Sequence, residues 1–266
     1  MTLCIAWKNN GIVHFASDSR LTIAKNSFAD VGVKVLSIPY HILHPAEEKC
    51  GNNRSVAFEG ELGMCFAGSA VNSLTIKESL VEVLKTLQHV PGHTDTSMAS
   101  LAKFIFTTYR VISQRVCETS IGRNGTASIM IGGLCPIEKS VRVFLFSTDA
   151  QNNHSCKEIL TDANHEFLGS GKDVAERNLP QNPTDIDYMN ILKLVIDEPS
   201  VESVGGNVQY GEFKNDQFVV YGIMELGVTV HYWRAALDLN SDDFIGNSSA
   251  FIPGFPYIDP FSTLGV

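Results

Sequence analysis

The chain is short of charge. Asp, Glu, Lys and Arg make up 18% of its 266 residues, where a quarter is usual. With 44% hydrophobic content, that composition excludes a disordered chain or a coiled coil and leaves one large domain with a sizeable core. Basic residues are scarce, 20 Lys and Arg against 29 Asp and Glu, a net charge of −9. That deficit excludes a surface built for nucleic acid or an anionic membrane. No run approaches the roughly 18 apolar residues of a membrane-spanning helix, and no signal peptide is visible. Six cysteines stand singly, without one C-x-x-C pair, most inside apolar runs such as Thr2-Leu3-Cys4-Ile5-Ala6-Trp7. This excludes a disulfide framework and predicts reduced, buried thiols in a cytoplasmic protein.

Strand-like runs at residues 2–7 and 12–17 flank Asn10-Gly11, a strong hairpin signal. A third strand is predicted at 33–38, closed by Pro39, then a loop over 40–54 and strands at 55–59 and 63–66. From 71 to about 90 the period becomes helical, and a second amphipathic helix starts at the N-cap Ser97, with Leu101, Ile105, Tyr109, Ile112 and Val116 on one stripe. Strands return at 127–132, 141–147 and 157–160. A turn at 167–171 then leads into a short helix, and Thr184 caps another. The last strands are predicted at 208–213, 218–224 and 228–233. Helices grouped in pairs between strands do not suit a parallel βαβ sheet. They suit an α+β, four-layer αββα sandwich of two antiparallel sheets flanked by helix pairs. One domain over 1–240 and a Pro- and aromatic-rich C-terminal extension over 241–266, packing on the domain or a neighbouring subunit, complete the expectation.

Gly169-Ser170-Gly171-Lys172 has the end of a phosphate-binding loop but lacks its first glycine, Glu166 standing there, and Asp173 replaces the Ser or Thr. His41-x-x-His44 has no second pair to complete a zinc site. There is no G-x-S-x-G elbow for a serine nucleophile. No metal or cofactor is expected. The stronger feature is the start, Met1-Thr2: methionine is normally trimmed before so small a residue, which would leave Thr2 with a hydroxyl and a free α-amine. An α-amine titrates near ~7.7–8, so it can be its own residue's base at neutral pH. Asp18 and Lys34 each stand where a strand meets a turn. On residue type alone, such charges are more often surface groups than catalytic ones.

The spacing changes that. A Thr, an Asp 16 residues on in Ala16-Ser17-Asp18-Ser19-Arg20, and a Lys 32 residues on in Val31-Gly32-Val33-Lys34-Val35 closely resemble the proteasome β-subunit family of N-terminal nucleophile hydrolases. Ala67-Gly68-Ser69-Ala70, Ala127-Ser128-Ile129-Met130-Ile131-Gly132-Gly133 and Phe167-Leu168-Gly169-Ser170-Gly171 resemble later segments of that family, so the likeness covers most of the chain. It implies Thr2 as nucleophile with its amine as proton acceptor, tuned by Asp18 and Lys34. Ser170 would orient the amine and a water, and the Gly68 N–H would donate to the oxyanion. Arg20 matches a structural arginine. Leu21, Thr22, Gly32, Leu36, Phe66 and Ala70 would line the pocket for the side chain before the scissile bond. Gly32 would leave room at one wall and Leu36 and Phe66 would offer apolar surface.

Two departures stand out. Asn207, in Val204-Gly205-Gly206-Asn207, stands where the family has an Asp, and the chain between Lys34 and Gly68 is about twenty residues longer than in short members, which predicts a hairpin insertion at 39–62. The start at Met1-Thr2 and the C-terminal tail are closer to the bacterial ancestral-β-subunit (Anbu-like) branch. The resemblance implies a threonine peptidase acting on peptide or protein substrates, self-associating in a ring or open helix, its regulator unidentified. Its rivals are a catalytically silent structural subunit that retains Met1, and a small-molecule amidase on the same fold.

Overall fold

The computed structural model describes residues 2–24, 27–45, 55–93, 95–121, 125–149, 151–225, 230–233, 237–238 and 256–264. β1 (Leu3–Asn9) and β2 (Ile12–Ser17) form the expected hairpin. Asn10 and Gly11 both take positive φ, 49° and 83°, the backbone that matches a two-residue turn to strand twist. A small hairpin follows, β3 (Leu21–Ala24) with β4 (Ser27–Ala29), which the sequence pattern did not announce.

β5 (Val35–Leu43) does not stop at Pro39. It continues opposite β6 (Val56–Gly68), with Pro39 paired to Glu61. Among the described residues the other side of β5 is joined only by β7 (Leu87–Gln88), at Ile42 and Leu43, so Pro39 occupies the edge position a missing N–H tolerates. The extra length of β5 also explains why α1 (Ala70–Leu84) ends before residue 90: the chain after it is drawn out as β7 along that edge. The predicted loop at 40–54 is therefore strand through Leu43, and 46–54 lie outside the described residues.

α2 (Met98–Val116) starts at the expected cap, the Ser97 hydroxyl accepting from the Ser100 N–H. Then come β8 (Ala127–Cys135), β9 (Ser140–Thr148), β10 (His154–Ile159) and β11 (His165–Gly169). α3 (Lys172–Asn178) and α4 (Asp185–Ile196) follow, the latter with a capping box between Thr184 and Asp187. β12 (Gln209–Lys214), β13 (Gln217–Glu225), β14 (Val230–Trp233), β15 (Leu237–Asp238) and β16 (Tyr257–Ile258) close the chain. Of the turn read at 167–171, residues 167–169 belong instead to β11, because they pair with β1. Of the predicted C-terminal extension, 241–255 lie outside the described residues; Phe261 and Leu264 pack on the core beneath α4.

The strands form a sheet ordered β11-β1-β2-β12-β13-β14-β15 and a second ordered β10-β9-β8-β6-β5-β7. β1 shows how they stack. Leu3, Ile5 and Trp7 face α3 and α4, while Cys4 and Ala6 face the other sheet, so a strand buried on both sides reads as an unbroken apolar run. In β6, Leu62, Met64 and Phe66 face α1 and α2, and Cys65 and Ala67 face the inter-sheet core. The sheets interlock around Phe218, whose ring lies where Cβ atoms at Gly63 and Gly211 would fall 2.5 and 2.6 Å away. Cys4, Cys65 and Cys135 are buried, but Cys117 is half-buried and Cys156, on the edge strand β10, is exposed, which corrects the expectation of uniformly buried thiols.

A polar island lies within the helix-facing core of the first sheet. His14 stacks on Trp7 with centroids 4.9 Å apart, and its Nδ1 is 2.8 Å from the Tyr210 hydroxyl. Tyr210 and Tyr221 donate to Glu212 at 2.7 and 2.8 Å, and Asp185 accepts from Trp7 Nε1 at 2.7 Å. Burial pushes the Glu212 carboxyl up, but hydrogen bonds from His14, Tyr210 and Tyr221 outweigh it and hold it at about 2. Against an ordinary value of 4.5, this stabilisation is complete above about pH 4.5 and is lost as pH falls toward 2. In full it is worth about 3 kcal/mol. Urea unfolding at pH 6 and pH 3 is expected to cost the wild type about 2 kcal/mol more than Glu212→Gln. Equal losses would refute the assignment.

Candidate active site

Three buried side chains from three segments meet at one end of the sheets: Thr2 before β1, Asp18 after β2 and Lys34 before β5. The Thr2 hydroxyl donates to Asp18 Oδ1. Lys34 Nζ donates to Thr2 Oγ1 and also, at 2.9 Å, to Asp18 Oδ1. Asp18 is held by backbone donors as well, Leu3 N–H on Oδ1 at 3.0 Å, with Arg20 and Gly205 N–H on Oδ2 at 3.0 and 3.1 Å. A carboxylate that is fully buried needs this many partners. An ammonium donating to the hydroxyl oxygen favours the alkoxide, and the Asp18 carboxylate holds that ammonium charged and in place, an arrangement that can activate an alcohol nucleophile.

The glycines around the triad are there for close approach. Gly169, at φ +99°, leaves its backbone against Thr2; a Cβ there would lie 1.9 Å from the Thr2 carbonyl oxygen. The Gly171 N–H reaches that oxygen at 3.5 Å. A Cβ at Gly205 would strike the Arg20 guanidinium at 2.2 Å, which explains the Gly-Gly pair that gives Asp18 its third N–H.

The fold itself decides the likeness. Anbu, the ancestral β-subunit, from Yersinia bercovieri superposes with TM-score 0.52 at 18% identity, covering 82% of this chain and 86% of that one. The helical assembly of the Anbu complex from Pseudomonas aeruginosa gives 0.53 at 19%, covering 92% and 90%. An Anbu (Gly-1) mutant from Hyphomicrobium sp. strain MC1 gives 0.53 at 16%, covering 92% and 91%. This chain has the Anbu fold. No protein-family profile and no curated protein matches its sequence.

Within this Anbu-type fold the remaining predicted residues are placed as follows. Gly68 ends β6 at φ +102°, where a Cβ would lie 2.6 Å from the Thr126 carbonyl. Ser170 shares a 2.8 Å hydroxyl contact with Ser203, a partner sequence reading did not name because 203 lies in an undistinguished loop. Asn207 anchors its turn by donating its backbone N–H to Ser19 Oγ at 2.8 Å. Arg20 grips Asp30 bidentately at 2.7 and 2.9 Å and reaches the Glu202 carbonyl at 3.0 Å, tying the turn after Asp18 to two loops. The Arg20 guanidinium holds the Asp30 carboxyl below its ordinary value, against the effect of burial.

The residues expected to line the specificity pocket are placed as follows. Gly32 leaves no room: a Cβ there would fall 2.6 Å from Leu21 Cδ2, because the Leu21 side chain covers it. Leu36 and Phe66, 5% and 1% exposed, pack in the core against α1 and α2. Thr22 is exposed on β3, and Ala70 borders that helix-facing core at the start of α1. Among the described residues no three His, Cys, Asp or Glu side chains are grouped to hold a metal ion, and no helix is long and apolar enough to cross a membrane.

Proposed function

We propose that this chain is a threonine-type N-terminal nucleophile hydrolase that cleaves peptide bonds once Met1 is removed. The observation that carries it is the buried contact of the Thr2 hydroxyl with the Lys34 ammonium and the Asp18 carboxylate. The Thr2 amine takes the hydroxyl proton as Oγ1 bonds to the substrate carbonyl carbon. Gly68 N–H donates to the oxyanion, and the proton passes to the leaving nitrogen as the C–N bond breaks. Water then cleaves the resulting ester, its proton returning through the amine, and frees Thr2. Ser170 orients the amine and Asn207 supports the turn behind it. The Pseudomonas aeruginosa relative is described as a helical assembly, which supports self-association here in a ring or open helix. The reading includes a cytoplasmic location, a 1–240 domain with an insertion at 39–62, and a 241–266 extension.

The filled space over Gly32 favours one rival, a silent subunit retaining Met1, since substrate would need Leu21 to swing aside. Intact mass and labelling with a peptide epoxyketone, which needs both hydroxyl and amine, decide between them. The hydrolase reading expects a mass lower by one methionine and a single adduct on Thr2. It also expects faster labelling when the peptide ends in Leu or Tyr than in Arg or Glu, because the side chain over Gly32, Leu21, is apolar. A retained Met1 with no adduct would establish the silent subunit.

A further inference from the structure

Lys34 lies one residue ahead of β5, where no ladder yet holds the backbone, and its ammonium sits at the end of a flexible four-carbon stem. Something else must fix that backbone. Gln209, 1% exposed and the first residue of β12, does so from the opposite sheet. Its Oε1 accepts from the Lys34 N–H at 2.8 Å and the Val35 N–H at 3.2 Å, while its Nε2 donates to the Gly32 carbonyl at 2.5 Å. One carboxamide thus satisfies three backbone groups on both sides of Lys34, and the Gly32 N–H is held by the Ser19 carbonyl at 2.8 Å. Gln209 also pairs with Ser17, the residue before Asp18. The same residue therefore borders the end of β2, just before Asp18, and grips the segment that carries Lys34.

We propose that Gln209 is a positioning residue: its carboxamide fixes the backbone ahead of β5 so that the Lys34 ammonium meets the Thr2 hydroxyl. The chemistry requires an amide. A carboxylate would still accept from the two N–H groups but would turn an oxygen against the Gly32 carbonyl, and a thioether would leave all three groups unpaired. A displacement of about 1 Å at a reacting group costs about 100-fold in rate. The catalytic consequence rests on the hydrolase reading above; the positioning of Lys34 does not.

The test uses the full chain with Gln209→Met and Gln209→Glu, each checked for cooperative thermal unfolding. Lysine acylation read by mass spectrometry reports whether Lys34 stays protected. Peptide turnover per epoxyketone-titrated site reports catalysis. In the wild type Lys34, 2% exposed, is expected to resist acylation. In the Met variant its acylation rises at least ~10-fold and kcat per titrated site falls about 100-fold, with KM little changed. The Glu variant falls between. A role in folding alone would lower the number of titrated sites and leave kcat per site and Lys34 protection intact. Folded variants with unchanged Lys34 protection would overturn the proposal. If the Met variant does not fold, the Glu variant, of equal size, decides it by the same criterion. A wild type that takes no label while the variants expose Lys34 would sink the hydrolase reading and leave the positioning role standing.

Discussion

Thr2→Ala is expected to abolish epoxyketone labelling and to lower peptide hydrolysis by about 10⁴-fold or more, while leaving the protein folded. Alanine at position 2 still permits methionine trimming, so the α-amine survives and only the hydroxyl is lost. Asp18 then keeps Lys34 and its three backbone donors, so no buried charge is orphaned. The stability cost is that of two lost hydrogen bonds and a methyl, about 2–4 kcal/mol. Thr2→Ser restores the hydroxyl and is expected to recover labelling. Equal labelling of wild type and Thr2→Ala would show that the electrophile reacts elsewhere and would end the assignment of Thr2.

Lys34→Ala has the opposite balance, a large effect on folding as well as on activity. Asp18 has no exposed surface, and removing its only ion-pair partner among the described residues leaves a carboxylate compensated by N–H dipoles alone. Breaking such a pair costs about 3–5 kcal/mol. The variant is therefore expected to melt far below the wild type. Lys34→Arg keeps the charge and so most of the stability. A planar guanidinium cannot place one compact donor on both Thr2 Oγ1 and Asp18 Oδ1, and turnover is expected to fall about 100-fold. Melting curves with turnover per titrated site separate the effects. A fully active Lys34→Arg would contradict the contact between Lys34 and the nucleophile.

The order of strands and helix pairs was legible because apolar periodicity and capping are local. Asn10-Gly11, Ser97 and Thr184 each specify their turn or cap within four residues. The errors fall where a partner strand decides. Pro39 reads as a strand end, yet the ladder with β6 carries β5 through it, and Phe167–Gly169 reads as part of a turn until β1 pairs with it. The candidate site was legible for a different reason. Thr2, Asp18 and Lys34 lie on the first elements of the chain at short, regular spacing, so linear distance kept their relation visible. Ser203 and Gln209 had no such signal: Ser203 is a loop residue 33 positions from Ser170, and Gln209 lies 175 positions from Lys34.

The sequence by itself singled out the candidate residues, a threonine that trimming would join to an amine and the two charges, Asp18 and Lys34, proposed to tune it. It also determined the paired-helix, two-sheet architecture, since hydrophobic periods are properties of the chain. Only the tertiary structure decided that Asp18 is fully buried under three backbone donors, that Gln209 holds the segment of Lys34, and that Leu21 covers Gly32. These are contacts between side chains and backbone groups brought together by sheet stacking. Their geometry depends on close packing to a fraction of an ångström, which residue type and spacing do not encode.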